Sequence, residues 1–310
     1  HAHRVLVYPH PPYERGDAPG LVLGQGSFTS ALPQQSGLSM ASLQSPVSVG
    51  CKAGYVAVAD RGNHRVLLWT QPPSRNTQPA DIVLGQPGAT TNDANHGGPA
   101  RGMNSPAAVH IGDGKLIVAD TGNHRVLIWN RIGAAGPTQP TPDLVLGQTD
   151  AMSVQPNGGQ AGPTASTLRS PAGLFHDGTQ LFVADTGNRR VLIYREPINR
   201  PGQPADVVIG QANFTSATVT AASPTSLGAP LGIASVEGRL YIADADHNRV
   251  LLYRTIPTEN GQGADVALGQ ADLFGRQAND GGLRLDRLQA PTGVLATRET
   301  VVIADSGNGR

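Results

Sequence analysis

A twelve-residue phrase, Val58-Ala59-Asp60-Arg61-Gly62-Asn63-His64-Arg65-Val66-Leu67-Leu68-Trp69, is restated along the chain and limits its possible folds more than any other feature. It returns over residues 118–129 and 183–194 and, with changes, over 242–253. A fifth statement is divided between the ends, with a front half over 303–310 and a back half over 3–8. The phrase aspartates, Asp60, Asp120, Asp185, Asp244 and Asp305, set a period of about 60 residues. A repeat of this kind buries its apolar face only against its neighbours, so the period outweighs the two domains that 310 residues would otherwise suggest. The chain reads as a single domain over 1–310.

One repeat holds four short apolar segments divided by turn residues: Val47-Ser48-Val49, Tyr55-Val56-Ala57-Val58, Val66-Leu67-Leu68-Trp69 and Ile82-Val83-Leu84. Such runs, bounded by Gly, Asn, Asp and Pro, read as strands. Their nearly continuous apolar character predicts sheets covered on both faces. Four-stranded antiparallel units repeated around an axis solve the edge-strand problem as β-propeller blades. An open solenoid would need polar capping repeats, and none is evident in the sequence. The expected fold is an all-β propeller of four-stranded antiparallel blades. Pairing the front half at the C-terminus (strands over 291–294 and 301–304) with the back half at the N-terminus (5–8 and 21–23) would close a fifth blade and remove two exposed edges. If the halves belong to different blades, the number becomes six or more.

In such a blade the turn between second and third strands opens on the same face as the crossing from the fourth strand to the next blade. Here the turn is Asp-x-Gly-Asn-x-Arg, and the crossings are long, 17 to 21 residues between each Gly-Gln and the next Ser-Pro or Ala-Pro. Loops beyond about 12–15 residues are usually functional or disordered. An apolar residue three places before every proline (Leu43, Met103, Leu168, Leu227 and Leu288) anchors these crossings. Phe28, Phe214 and Leu273 read as second anchors. Asn-Gly-Gly patterns over 95–98, 157–159 and 279–282 predict tight turns at positive φ, and the crossing over 212–228 lacks one.

The phrase Ala-Asp-x-Gly-Asn-His-Arg-Val-Leu resembles the NHL-repeat signature, and residues 119–127 match it throughout. The added Asp-x-Val-Leu-Gly-Gln phrase, over 81–86, 143–148, 206–211 and 265–270, resembles a bacterial, often secreted or surface-attached, subset of such propellers. The resemblance implies a propeller fold and a location outside the cell or at the cell surface of a bacterium. Its members include RNA-binding domains, protein-binding domains and a metal-dependent lyase, so function rests on the site.

Acidic and basic residues are equal in number, 23 each, so the net field gives no reason to expect nucleic acid or an acidic membrane as partner. Cys51 is the only cysteine, which excludes an internal disulfide and a cysteine metal cluster. No apolar run reaches the roughly 18 residues of a transmembrane segment.

The recurring pairs Asp60 with Arg65, Asp120 with Arg125, Asp185 with Arg190, Asp244 with Arg249 and Asp305 with Arg310 stand five apart across each turn. A carboxylate that accepts the turn's donors and a guanidinium that forks onto it would lock the turn. A ring of charges at a channel mouth is the alternative, and identical recurrence favours the lock. A lyase or hydrolase centre would need metal ligands converging from first strands, yet residues 47–49, 107–109, 172–174, 231–233 and 292–294 carry no His, Asp or Glu. His1, His3 and a free amine could chelate a metal such as copper, although His3 also fills the variable slot of the phrase. That slot, held by His64, His124 and Arg189, and the divergent fourth turn, where Asp246 replaces glycine and His247 replaces asparagine, supply the candidate binding residues. Ordinary drift is the competing account of the fourth turn, since aspartate tolerates the left-handed region.

The reading is a non-catalytic binding module that recognises a protein or glycan through the crossing face, with no cofactor expected. A metal-dependent lyase or hydrolase at the channel mouth is the first alternative, its metal unidentified. A building block of a surface fibre or layer, self-associating through terminal strands, is the second.

Overall fold

The structure, a computed structural model, describes residues 2–8, 17–34, 37–132 and 140–310. His1 of the possible N-terminal chelate lies outside the described residues. Contacts divide the chain into two compact units, His1–Asn123 with Leu127–Asp143 and His124–Val126 with Leu144–Arg310.

The described residues form an all-β protein of propeller type with four complete four-stranded antiparallel blades. The first joins β3 (Pro46–Lys52), β4 (Tyr55–Asp60), β5 (Arg65–Trp69) and β6 (Ile82–Leu84), and the second joins β7 (Ala108–Gly112), β8 (Lys115–Asp120), β9 (Arg125–Trp129) and β10 (Leu144–Leu146). The third joins β11 (Gly173–His176), β12 (Gln180–Asp185), β13 (Arg190–Arg195) and β14 (Val207–Ile209). The fourth joins β15 (Pro230–Val236), β16 (Arg239–Asp244), β17 (Arg249–Tyr253) and β18 (Val266–Leu268).

The expected fifth blade is corrected by the termini. β1 (Val5–Val7) pairs with β2 (Leu21–Leu23), and β19 (Gly293–Ala296) pairs with β20 (Val301–Ala304), as two separate two-stranded sheets. The reason lies in doubled slots. Arg310 already seats its Nε 2.8 Å from Asp305, while Arg4 holds the same position in the N-terminal half and donates to the Phe28 and Ser30 carbonyls. His3 and Gly309 likewise both fill the variable slot, each at positive φ. Two arginines cannot share one turn, and the halves stay two separate two-stranded sheets, so the described residues hold four complete blades, not five or six.

Each middle strand is buried on both faces, as its apolar run requires. In the first unit, Val58, Leu67, Trp69 and Val83 pack with Leu23 and the β1 side chains. In the second, Phe182, Val191 and Ile209 of the third blade interlock with Ile233, Ile242 and Tyr253 of the fourth, whose other face covers β19 and β20 through Tyr241, Ala243, Val294 and Ile303. Burial at roughly 25 cal/mol per Å² makes these blade contacts the main source of stability. Outer strands are not left bare: Asn76 Oδ1 accepts the Val22 N–H at 3.0 Å, and Asn260 Oδ1 accepts the Val208 N–H at the same distance. A loop side chain thus takes a donor that an exposed edge would offer to another strand.

Candidate functional site

The face bearing the turns and crossings is built from four recurring hydrogen-bonded devices, and the candidate site is the place where one of them fails. The first device is the aspartate hub. Asp60 Oδ1 accepts the Gln44 N–H at 2.6 Å, and its Oδ2 accepts Asn63 Nδ2 at 2.7 Å and Arg65 Nε at 2.8 Å. The remaining Arg65 donors reach the carbonyls of Ala89, Ser39 and Ser42 at 2.8–2.9 Å. Asp185 with Arg190 and Asp244 with Arg249 repeat this geometry. Asp120 takes the Asn104 N–H and Asn123 Nδ2, and Arg125 donates to the Ala151 carbonyl. Asp60, Asp120, Asp185, Asp244 and their arginines are fully buried. Burial pushes the Asp60 and Asp185 carboxyls up against the opposing pull of Arg65 and Arg190. At Asp305 burial is outweighed by Asn308, the Gln289 N–H and Arg310, and its carboxyl lies below the usual range. These groups tie a crossing to its turn and are closed to a ligand. Of the expected second anchors, Leu273 packs its side chain against the core of the third and fourth blades, Phe214 and Leu273 give carbonyls to Arg190 and Arg249, and the Phe28 side chain is exposed.

The second device uses the variable slot. His64 Nδ1 accepts the Ser105 N–H at 3.0 Å, His124 Nδ1 accepts the Ser170 N–H at 3.0 Å, and Asn248 Oδ1 accepts the Ala290 N–H at 2.8 Å. These donors sit just before proline at positive φ, a conformation that needs such a partner. Burial pushes both histidines below the usual imidazole value, against the attraction of Asp120 and Asp93 at His64 and with the help of Arg169 at His124. Arg189 occupies the same slot and has no acceptor to give. Its guanidinium makes no hydrogen bond or ion pair among the described residues. Asp244 compensates by accepting the Ala229 N–H at 3.1 Å.

The glutamine of each Gly-Gln is the third device. Gln86 Nε2 bridges the His64 and Asp93 carbonyls, and Gln211 Nε2 bridges those of Arg189 and Thr218. Its glycine suits φ +91 at Gly85, where a side chain would be strained and an added Cβ would stand 2.7 Å from Met103 Cγ, forcing that side chain to shift.

The fourth device is an amide plug. Asn95 and Asn123 exchange two hydrogen bonds of 2.9 and 2.7 Å. Asn157 with Asn188 and Asn279 with Asn308 do the same, and Gln34 donates to Asn63. Each partner from a crossing stands nine residues beyond the Gly-Gln glutamine, at positive φ.

In the fourth repeat both halves of the plug are replaced. Nine residues beyond Gln211 stands Thr220, and the turn amide is His247. His247 Nδ1 lies 2.8 Å from Asp244 Oδ2, and because a carboxylate only accepts, Nδ1 carries the hydrogen. Nε2 is left on the side of Gly228. A cleft of about 270 Å³ remains, lined by Arg189, Val219, Thr220, Leu227, Gly228, Asp246, His247 and Arg276. Asp246 is accommodated by a steric exchange. Elsewhere the turn glycine faces a side chain, as Gly122 faces Asn104 with 2.5 Å between an added Cβ and Asn104 Cγ, whereas here Asp246 faces Gly228. The expectation that aspartate is tolerated there through positive φ is replaced by this account, since the left-handed residue of the turn is Asn248.

The structure thus brings together Asp246, His247 and Arg189, and it places His64 and His124 in the hydrogen bonds to the Ser105 and Ser170 N–H groups. Arg276, Thr220 and Gly228 escaped the sequence reading. Counting nine from each Gly-Gln glutamine exposes Thr220 as the exception, and Gly228 is the one glycine before the conserved-register alanine or serine. Among the described residues no group of three or more His, Cys, Asp or Glu is placed to hold a metal ion. No helix there is long and apolar enough to cross a membrane.

The class defined by these sheets is an all-β protein with propeller-type blades. No family model matches the chain, and no curated protein matches it. Among solved structures it is similar to a chain in a crystal structure of a nidogen/laminin complex, at 14% identity, covering 86% of this chain and 73% of that one with a TM-score of 0.47. It is also similar to the computationally designed Ika8 protein, at 12% identity, 84% and 69% coverage and a TM-score of 0.39. Likeness at this level carries no argument about function.

Proposed function

We propose that the chain is a non-catalytic binding module that recognises a protein or glycan through its crossing face, with the cleft of the fourth repeat as its recognition point. One observation supports this reading above the rest: the amide plug is absent only there among the described repeats, and unpaired polar side chains converge on the space it leaves. A few placed polar groups in a concave site are what fixes a ligand's orientation. The likeness of the phrase to NHL repeats, and of Asp-x-Val-Leu-Gly-Gln to a secreted bacterial subset, supports a place outside the cell or at its surface.

The test is binding to peptide and glycan arrays with two bulky variants. Val219→Trp fills the lip of the cleft, and Thr258→Trp alters a loop at the opposite ends of the strands. Signals lost in the first and kept in the second are expected. Equal behaviour of the two variants, or no signal above background, overturns the proposal.

A further inference from the structure

We infer that the cleft takes a carboxylate carried by a partner polypeptide, an aspartate or glutamate side chain or a free C-terminus; this rests on the binding reading above. Two guanidinium groups, those of Arg189 and Arg276, line the cleft, and neither makes a hydrogen bond or ion pair among the described residues. Each is placed by its own backbone: the Arg189 carbonyl is held by Gln211 Nε2 at 3.3 Å, and the Arg276 carbonyl by Asn248 Nδ2 at 3.0 Å. Both backbones are therefore fixed while both side-chain forks are open.

Guanidinium forks match carboxylates in a bidentate manner. His247, held through Nδ1 by Asp244, adds Nε2 to the wall, and Thr220 adds a hydroxyl. One carboxylate, Asp246, also lines the cleft. It is an acceptor for an N–H of the bound segment and keeps two anions from entering together.

A polypeptide source is favoured over an acidic sugar by the composition of the wall. No Trp, Tyr or Phe lines the cleft, so a sugar would lack the broad ring face it usually stacks on. The lip is instead an exposed aliphatic side chain, Val219, 75% accessible, with Phe274 exposed two residues before Arg276. Arginine anchors bordered by apolar contacts are the usual composition of a protein-binding hot spot. The volume of about 270 Å³ lies just below the range of about 300–1,000 Å³ typical of drug-sized sites, which suits one inserted side chain.

The test is selection of a random heptapeptide display library on the intact chain. Counter-selection uses Thr220→Asn/His247→Asn, which restores the plug. Arg189→Asn keeps a residue suited to positive φ, as Asn248 is in the next repeat, and Arg276→Ala alters an exposed side chain. Peptides enriched in Asp, Glu or a free carboxyl terminus are expected, with binding at least tenfold weaker to each arginine variant and no displacement by glucuronate. Peptides that depend on the open cleft but show no acidic preference overturn the carboxylate inference and leave the binding reading standing. Peptides that bind the plugged variant equally, or no enrichment, overturn both. Displacement by glucuronate as effective as by the selected peptide overturns the polypeptide assignment.

Discussion

Thr220 and His247 line one cleft at the two registers where the other repeats hold hydrogen-bonded amides, such as Asn157 against Asn188. Two residues on separate loops differ from the other repeats, and a polar space stands where those repeats hold the amide pair. Restoring both amides should therefore close the cleft and stabilise the blade, with coupling between the two changes of about 0.5–3 kcal/mol in a double-mutant cycle. Urea unfolding of Thr220→Asn, His247→Asn and the pair measures it, and additivity of the two would show that the registers do not meet.

Gly122→Asp should destabilise the second blade by about 1–3 kcal/mol, the usual cost of overpacking. The cause is the Asn104 side chain, whose Cγ would stand 2.5 Å from the new Cβ. Asn104→Gly in the same chain should recover most of the loss, because that pair recreates the arrangement of Asp246 with Gly228. No recovery would contradict the exchange.

The blades were legible in the sequence because buried strands read as apolar runs between turn residues, and β3 to β6 fall where Val47-Ser48-Val49 through Ile82-Val83-Leu84 predict. The blade count was not. The apolar runs of the two ends match strands of one blade, but only the structure shows that β1 pairs with β2 and β19 with β20 and that neither sheet is completed. At the site, Asp246 and His247 stood out as departures from the phrase. Thr220 did not, because its significance is the lost partner of a residue 27 positions away, and only a shared hydrogen bond links the two registers.

His64→Ala should cost about 1–3 kcal/mol by leaving the Ser105 N–H unpaired next to proline. His64→Asn should cost much less, since Asn248 accepts the Ala290 N–H from the same slot. Thermal or urea unfolding separates the two, and equal losses would show that the imidazole acts through packing and not as an acceptor.

Stability should fall as pH falls below about 6.5, the ordinary histidine value. His64 and His124 titrate lower in the folded chain, mainly through burial, with Asp120, Asp93 and Asp60 opposing the shift at His64 and Arg169 adding to it at His124. Their contribution is complete above the unfolded value and is lost as pH falls through the lowered folded values, because the unfolded state binds more protons in that window. Urea midpoints at pH 8 and pH 5 measure the drop. The double variant His64→Asn/His124→Asn should show a smaller drop; an unchanged one would show that the drop does not arise at these two histidines.

Arg65→Met should cost about 3–5 kcal/mol, the typical penalty for leaving a buried charge, here Asp60, without its partner. Arg310→Met should cost about 1 kcal/mol or less, because that side chain is 35% exposed and water screens what it leaves behind. Unfolding midpoints of the two variants give the comparison, and a larger loss at Arg310 would invert the account of the hub.

The central claim is that the missing plug makes the binding site, and calorimetric titration of a selected peptide into the intact chain and into Thr220→Asn/His247→Asn tests it most directly. The account predicts saturable binding to the first and none to the second, with the plugged variant folded and at least as stable. Equal affinity for both would place recognition elsewhere and contradict it.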